Sequence, residues 1–223
     1  MDTKETRVNS VLRQLSIKFA ALPAPLVMKP RPHVALIVET SKGFGRGLLR
    51  GISRYARAHG PWSIYVDERG PADPPPSWLR NWDGHGLIVR LQTREMLNFV
   101  RRMKLPAVDT LRQFDDHGLP AIYTDDEAIS RAAAAHLLTK GFQHFGFVGV
   151  EGAHWSDLRC DAFVQAIRKA GFECHVYEPI SRRRFRASWE GGQDDLSEWV
   201  QELPKPAGLM AAHDLRALCI LDA

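Results

Sequence analysis

The feature that most constrains the fold is an alternation of short apolar runs with helix-like segments, which starts at His33. Val34–Val38 is a continuous apolar run, as expected for a strand buried on both faces. Apolar residues then recur at helical spacing from Leu48 to Ala56, and Gly60 followed by Pro61 ends that segment. Repeated strand–helix units of this length predict an α/β fold built on parallel sheets, with helices on both faces.

The same alternation continues to the last residue. Further strands are expected at residues 62–66, 86–89, 107–109, 121–123, 145–150, 172–177 and 207–212. Further helices are expected at 77–82, 93–103, 124–139, 157–170, 194–203 and from Asp214 onward. The connections between consecutive predicted strands are long enough to cross over a parallel sheet.

The first 32 residues do not follow this alternation. They mix basic, small and proline residues without a strand pattern, and we expect a disordered leader. A secretory signal is disfavoured because Pro23 and Pro25 interrupt the apolar part and no clear cleavage site follows. Met28 is an alternative start of the chain.

The bulk composition is that of an ordinary globular protein. The 223 residues are 44% hydrophobic and carry a net charge of +4, which does not by itself indicate nucleic-acid binding. The three cysteines, Cys160, Cys174 and Cys219, have no metal-ligand spacing and indicate reduced thiols. No apolar run reaches the roughly 18 residues of a membrane span, so no membrane contact is predicted.

The loop after the first strand resembles a dinucleotide-binding loop but departs from it. The dinucleotide fingerprint needs three glycines directly after the strand, and here Arg50 stands at the third position after Gly45 and Gly47. Phosphate binding at a helix start needs bare amides, whereas this loop supplies charged and hydroxyl side chains. Asp67 lies at a suitable distance for a ribose contact, so nucleotide binding is kept as a minor alternative.

The polar side chains of this loop suit a polyol better. Ligands of open α/β sheets bind at the carboxyl ends of the strands. A polyol needs carboxylates, guanidinium groups and amides for its hydroxyls, and an aromatic face to stack on. The loop supplies this mixture in Glu39, Thr40, Ser41, Lys42 and Phe44.

Similar side chains follow later strands. Trp155, Ser156 and Arg159 stand at the start of the helix after residue 150, and a tryptophan with an arginine offers a stacking face and a rigid donor. His213 and Asp214 follow the strand at 207–212, and Asp125 and Asp126 follow the strand at 121–123. The alternative for Ser156, Asp214 and Asp125 is a plain helix-capping role.

Several stretches together resemble a known family. They are VALIVETSKGFGRGLLRGISRYAR, GPWSIY, PPPSWLRNWDGHGLIVR, TDDEAISRAAAAHLLTKGFQHFGFVG and WSDLRCDAF, and they extend from about residue 33 to the end of the chain. They resemble the sugar-sensor domain of the LacI/GalR and periplasmic-binding-protein superfamily. They are most similar to the xylose-operon regulators, which join that sensor to a C-terminal DNA-binding domain of the AraC type.

The resemblance implies two doubly wound parallel-sheet lobes, at residues 33–138 and 139–223, with the second lobe incomplete. It implies a sugar between the lobes, held by Glu39, Ser41, Phe44, Arg90, Trp155, Arg159 and Asp214. Asp125, which follows a predicted strand, completes the set of expected ligand-binding residues. The superfamily commonly has asparagine where His213 stands, so the role of that position is left open.

The function implied by the resemblance is a sugar-sensing effector domain, with a pentose such as xylose as the effector. We expect a cytoplasmic protein that contacts DNA only through a C-terminal domain absent from this sequence, and that can form a homodimer. The basic stretch SRRRFRAS at 181–188 is interpreted as a solvated loop.

Three alternatives stay open at this point. A secreted sugar-binding protein of a transporter would share the fold, and a functional signal peptide would distinguish it. A truncated, non-functional remnant would expose apolar surface and dissolve poorly. An enzyme is disfavoured because no G-x-S-x-G, HExxH or Walker A motif is present. We therefore expect no catalytic residue, no cofactor and no metal site.

Overall fold

The structure, a computed structural model, describes residues 31–60, 62–115, 117–178 and 189–223, with side chains in the last range from Gln193 onward. The leader up to residue 30 and the basic stretch 181–188 lie outside the described residues. Pro32–Ala223 form one compact unit that contains two parallel sheets. We call the part around the first sheet, up to Thr124, the first lobe, and Asp125–Ala223 the second lobe.

The first lobe is a four-stranded parallel sheet. Its strands are β1 (His33–Ile37), β2 (Ser63–Val66), β3 (Gly86–Val89) and β4 (Ala107–Asp109), in the spatial order β2-β1-β3-β4. Helix α1 (Gly43–His59) connects β1 to β2, a 3-10 turn (Ser77–Asn81) precedes β3, and α2 (Arg94–Met103) connects β3 to β4. The order places β1 and β3 in the centre, so the segments that follow them begin side by side.

One face of this sheet carries the core of the first lobe. Side chains of a strand alternate between faces, and every second residue of β1 and β3 points to this core. The buried cluster consists of Ala35, Ile37, Leu87, Val89 and Ala107 from the strands, with Leu79, Leu91, Met96, Leu97 and Val100. The apolar run of β1 continues to Val38, which is fully buried. The first polar residue after it, Glu39, therefore emerges where the strand ends.

The second lobe is a three-stranded parallel sheet with helices on both faces. Its elements are α3 (Asp126–Thr139), β5 (His144–Val148), α4 (His154–Lys169), β6 (Cys174–Val176), α5 (Trp189–Glu202), β7 (Ala207–Ala211) and α6 (Asp214–Leu221), with strand order β6-β5-β7. Phe145, Phe147, Phe163 and Ile167 form the core on one face, and Val148, Tyr177 and Leu196 pack on the other. The doubly wound architecture expected from the sequence is therefore confirmed.

Two details of the chain differ from the sequence-based expectation. The boundary at residue 138 assigned α3 to the first lobe, whereas Ala134 of α3 belongs to the core that contains Phe145 and Phe163. The chain therefore changes lobe before Asp126, because the apolar face of α3 packs on α4. The strand expected at 121–123 reduces to a single bridge between Ala121 and Asp109.

A close approach between β1 and α1 explains one of the loop glycines. A Cβ atom at Gly45 would lie 1.9 Å from the carbonyl oxygen of Glu39, which only glycine avoids. Gly43 and Gly47 have open space at the same position. Gly45 therefore lets the first turn of α1 pack directly on the end of β1, and this packing needs no nucleotide.

None of the described helices combines a sufficient length with sufficient apolar character to cross a bilayer.

Candidate functional site

The two lobes enclose a cleft of about 810 Å³ at the carboxyl ends of their strands. Seven of the eight expected ligand-binding residues line it. They are Glu39, Ser41, Phe44, Arg90, Trp155, Arg159 and Asp214. Residues separated by up to 175 positions in the chain thus meet in one cavity, and each of them follows a strand of one of the two sheets or stands at the start of a helix.

The first lobe contributes an arginine held by a carboxylate and an aromatic ring. Arg90 follows β3, and its Nε lies 2.9 Å from Oε2 of Glu39, with both side chains largely buried. Its Nη1 donates to the carbonyl of Thr110 at 3.0 Å, and the guanidinium lies 4.5 Å from the centroid of Phe44. Burial lowers the pKa of Arg90, and the Glu39 carboxylate opposes that shift. Gln92 donates to the same carboxylate oxygen at 3.4 Å.

Arg69 holds the loop that carries Glu39 and Ser41 through hydrogen bonds to Thr40. The backbone of Thr40 donates to the carbonyl of Arg69 at 3.0 Å, and the Arg69 amide donates to the Thr40 hydroxyl at 3.1 Å. The buried Arg69 guanidinium donates in turn to the carbonyls of Asp73 and Pro74. The loop is therefore cross-linked at Thr40 to the segment after β2.

The second lobe repeats the arrangement of the first. Arg159 on α4 donates from Nε to Oδ1 of Asp126 at 2.8 Å and from Nη1 to the carbonyl of Ala212 at 2.6 Å. Its guanidinium lies 5.0 Å from the centroid of Trp155, one turn earlier on the same helix. The hydroxyl of Thr124 donates to Asp126 at 2.9 Å. Asp126 keeps its other oxygen, Oδ2, buried and without a hydrogen bond among the described residues.

The structure gives different positions to two adjacent acids, of which the sequence-based expectation chose Asp125 as the ligand-binding residue. Asp125, the expected ligand-binding residue, caps α3 by accepting from the amide of Ala128 at 2.8 Å, and it does not line the cleft. Asp126 is the buried partner of Arg159 and does line it. One step along a helix turns a side chain by about 100°, so only one of two neighbouring acids can face the cleft.

His213, whose role the sequence left open, caps α6. Its Nδ1 accepts from the amide of Arg216 at 3.1 Å, and its ring centroid lies 5.8 Å from that of Trp155. Burial lowers the pKa of the His213 imidazole, and the charges of Arg216 and Lys42 act in the same direction. A neutral ring with an occupied Nδ1 carries its proton on Nε2, so His213 presents a donor. His213 and the neighbouring Asp214 both line the cleft.

Ser156, also considered as a helix cap, has another structural role. Its buried hydroxyl accepts from the amide of Val150 at 2.9 Å, which ties the loop after β5 to α4. The helix itself begins after Ala153, which provides no side-chain cap. Ser156 therefore shapes the wall of the cleft and does not line it.

The segment after β4, which leads from the first lobe to the second, also contacts the second lobe directly. Gln113 donates from its side chain to the carbonyl of Gly152 at 2.7 Å, and Nε2 of His154 lies 3.1 Å from Oδ1 of Asp115. At its start the segment is anchored by buried Asp109, whose Oδ1 accepts from the amide of Leu91. Sequence reasoning missed these residues because they lie in an irregular segment without periodicity.

The sequence disfavoured a dinucleotide because charged and hydroxyl side chains, and not bare amides, were expected at the start of α1. In the structure these side chains do not cap the helix. Lys42 occupies the capping position without a side-chain hydrogen bond, and the first turn contains no acidic residue. The loop's side chains thus leave the helix start uncapped. Asp67, considered for a ribose contact, accepts instead from the indole of Trp78 at 3.3 Å.

Among the described residues, no set of three or more His, Cys, Asp and Glu side chains is arranged to hold a metal ion.

Comparison with known proteins supports the sensor architecture. Residues 33–128 match the family model described as XylR N-terminal domain, and residues 134–223 match the model described as Periplasmic binding protein-like domain. The chain has a periplasmic-binding-protein-like α/β fold with parallel sheets. The resemblance to periplasmic-binding-protein-like sensors and to xylose-operon regulators, inferred from the sequence, is thereby confirmed.

Individual relatives point the same way. The chain is 26% identical over 202 residues to the xylose operon regulatory protein of Escherichia coli K12, and 27% identical over 198 residues to that of Haemophilus influenzae. These alignments cover 86% and 85% of the chain and half of each relative. A solved structure titled as the xylose-binding transcription activator xylR superimposes with a TM-score of 0.71 at 25% identity, over 87% of this chain and half of that one.

The chain therefore spans about half the length of the curated relatives that it matches. Those relatives are regulatory proteins of a xylose operon, and the solved structure is titled as a transcription activator. The matched residues, 33–128 and 134–223, contain both sheets.

Proposed function

We propose that this chain is the sugar-sensing region of a transcription regulator and that the sugar binds between the two lobes. One observation carries the proposal. Each lobe presents to the same cleft an arginine that is paired with a buried carboxylate and stacked on an aromatic ring, Arg90 with Phe44 and Arg159 with Trp155. A ligand between them would contact both sets at once.

The chemistry of these sets suits sugar hydroxyls. A guanidinium held by other contacts offers its remaining N–H groups in a fixed direction, and little side-chain entropy is lost when a hydroxyl accepts from them. Oδ2 of Asp126 is buried at the wall of the cleft and has no hydrogen-bond partner among the described residues, so a donor hydroxyl placed there would satisfy it. Phe44 is 55% exposed, so its ring is free to pack against the apolar face of a sugar.

The mechanism of sensing follows from the two-lobe geometry. Among the described residues, the contacts that join the lobes include the pairs Gln113–Gly152 and Asp115–His154. A sugar that contacts both lobes favours the closed arrangement by the difference between its affinities for the closed and open states. The change of lobe angle would be transmitted to the region that binds DNA.

The regulator assignment is preferred to a transporter component because the curated relatives are regulators of a xylose operon. Their names make xylose, or a compound derived from it, the first ligand to test. We further propose that the protein acts in the cytoplasm, contacts DNA only through a separate C-terminal domain, and can pair with a second copy of itself.

The proposal is tested by a thermal-shift titration of the full chain against pentoses and hexoses, including xylose. A ligand of the native state raises the melting temperature in proportion to the logarithm of its concentration. The matched variant is Arg159→Lys, which keeps a charge for Asp126 but cannot make the three contacts of a guanidinium. We expect one class of sugar to raise the melting temperature and the variant to respond less. If no sugar of any class changes it, the proposal is wrong.

A further inference from the structure

The charges that line the cleft do not balance. Among the described lining residues there are five cations, Lys42, Arg46, Arg90, Arg112 and Arg159, and three carboxylates, Glu39, Asp126 and Asp214. Arg90 and Arg159 are each within 2.9 Å of a buried carboxylate. These two pairs cancel, and the remaining cations outnumber the remaining carboxylate.

Two of the remaining cations lie together at the start of α1. Arg46 donates from Nη1 to the carbonyls of Thr40 and Ser41, at 3.0 and 2.8 Å. Those contacts fix its guanidinium next to the loop but do not neutralise it, because both acceptors are uncharged. Within the described residues neither Lys42 nor Arg46 forms an ion pair with a carboxylate. They form one cationic edge of the cleft on the first lobe.

The field of this edge reaches the opposite lobe. The charge of Lys42 is among the causes that lower the pKa of His213, which lines the cleft from the second lobe. The uncapped start of α1 adds a partial positive charge at the same place. Arg112 contributes less, since it lies 3.7 Å from Asp115 and stacks on Tyr123.

We propose that the ligand of this cleft is an acidic sugar, one bearing a carboxylate or a phosphate, and that its anionic group binds at Lys42 and Arg46. The inference rests on the proposed sugar-binding function and names the class of sugar. A neutral sugar would offer these two cations only uncharged acceptors, whereas an anion would form charge-assisted hydrogen bonds with both. The sugar ring would then lie between Arg90 and Arg159.

The test is isothermal titration of the full chain with matched neutral and anionic ligands. Glucose is compared with glucuronate, which keeps the sugar ring, and ribose with ribose 5-phosphate, so that the carboxylate and phosphate arms share their carbon skeletons with neutral controls. We expect an anionic member to bind at least about tenfold more tightly than its neutral counterpart. The preference should decrease as salt increases, because exposed charges are screened.

Three variants locate the effect. Lys42→Gln and Arg46→Gln should each reduce the anionic preference several-fold, while the matched control Arg54→Gln, an exposed arginine of α1 outside the cleft, should leave it unchanged. Thermal melts of all three confirm that they fold.

The outcomes separate the two proposals. Tighter binding of a neutral sugar than of its anionic counterpart would overturn the acidic-sugar inference and leave the sugar-sensing function standing. An anionic preference that all three variants retain equally would overturn the assignment to Lys42 and Arg46. Absence of binding by every ligand, together with the absence of a thermal shift with any sugar of the pentose and hexose panel, would overturn the sugar-sensing function itself.

Discussion

Arg159 Nε lies 2.8 Å from Asp126 Oδ1. This ion pair connects helix α4, in the wall of the cleft, to the start of α3, where the chain enters the second lobe. The same guanidinium reaches the carbonyl of Ala212 at the end of β7. Three separate segments, the start of α3, helix α4 and the end of β7, thus meet at one side chain. The arrangement fixes Trp155, which stacks on that side chain, in the cleft.

We predict that Arg159→Ala lowers the free energy of unfolding by about 3 kcal/mol or more, because it leaves the buried carboxylate of Asp126 without its cation. The Asp126 side chain is only 3% exposed, so in the folded protein Arg159, and not bulk water, is the partner of its carboxylate. Urea denaturation of the two proteins measures the difference.

The double variant with Asp126→Ala is the control for that interpretation. Removing the carboxylate as well removes the unpaired charge, so the double variant should be more stable than Arg159→Ala alone. If its stability is lower still, by the sum of the two single losses, the pair does not interact as the distances indicate.

A second prediction concerns the contact between β1 and α1. Gly45→Ala places a Cβ 1.9 Å from the Glu39 carbonyl oxygen, and relief of that overlap requires the helix or the strand end to move. We expect a loss of at least about 2 kcal/mol in the free energy of unfolding, as for other over-packed positions. Chemical denaturation followed by circular dichroism measures it.

Gly47→Ala is the matched substitution in the same helix. A Cβ at Gly47 meets nothing within 4 Å, so alanine there should raise stability by roughly 0.5–1 kcal/mol through its higher helix propensity. Equal effects of the two substitutions would contradict the role assigned to Gly45.

The third prediction is a pH dependence that originates at His213. Its folded-state pKa is lowered, chiefly by burial, whereas the unfolded value is about 6.5. Below that pH the unfolded chain binds more protons at this position than the folded chain. The stabilising contribution of neutral His213 is therefore complete above about pH 6.5 and is lost as pH falls through the lowered folded-state pKa.

The measurement compares the wild type with His213→Asn at pH 7.5 and 5.5. Asparagine also caps a helix but does not titrate in this range. Urea midpoints should fall more for the wild type than for the variant between the two pH values. Parallel changes in both proteins would show that the capping contact at Arg216 does not depend on the protonation of His213.

Most of the strand ends that form the site could be predicted from the sequence. Buried parallel strands are continuous apolar runs, so the first polar residue after each run marks a carboxyl end, as Glu39 does after Val38. Parallel strands of one sheet end at one edge, which is why Glu39 and Arg90 could be expected near each other although 50 residues separate them.

The remaining features depend on tertiary packing, to which a single sequence gives little access. Asp125 and Asp126 are equivalent in type and position, and only the packing of α3 on α4 decides which of them faces Arg159. The same packing places α3 in the second lobe. The contact between Gln113 and Gly152 joins two loops whose meeting depends on the angle between the lobes.

The central claim is that the ligand bridges the lobes. It is tested most directly by calorimetric titration of the sugar found to bind the wild type into Phe44→Ala and Trp155→Ala. Each of these variants removes the aromatic face of one lobe. Tyr55→Ala is the control, since Tyr55 is as exposed as Phe44 and lies on the same helix outside the cleft. We predict that both cleft variants weaken binding by roughly threefold to thirtyfold while the control binds as the wild type does. Loss of affinity in the variants of one lobe only, with wild-type binding in the other, would contradict a ligand held between the lobes.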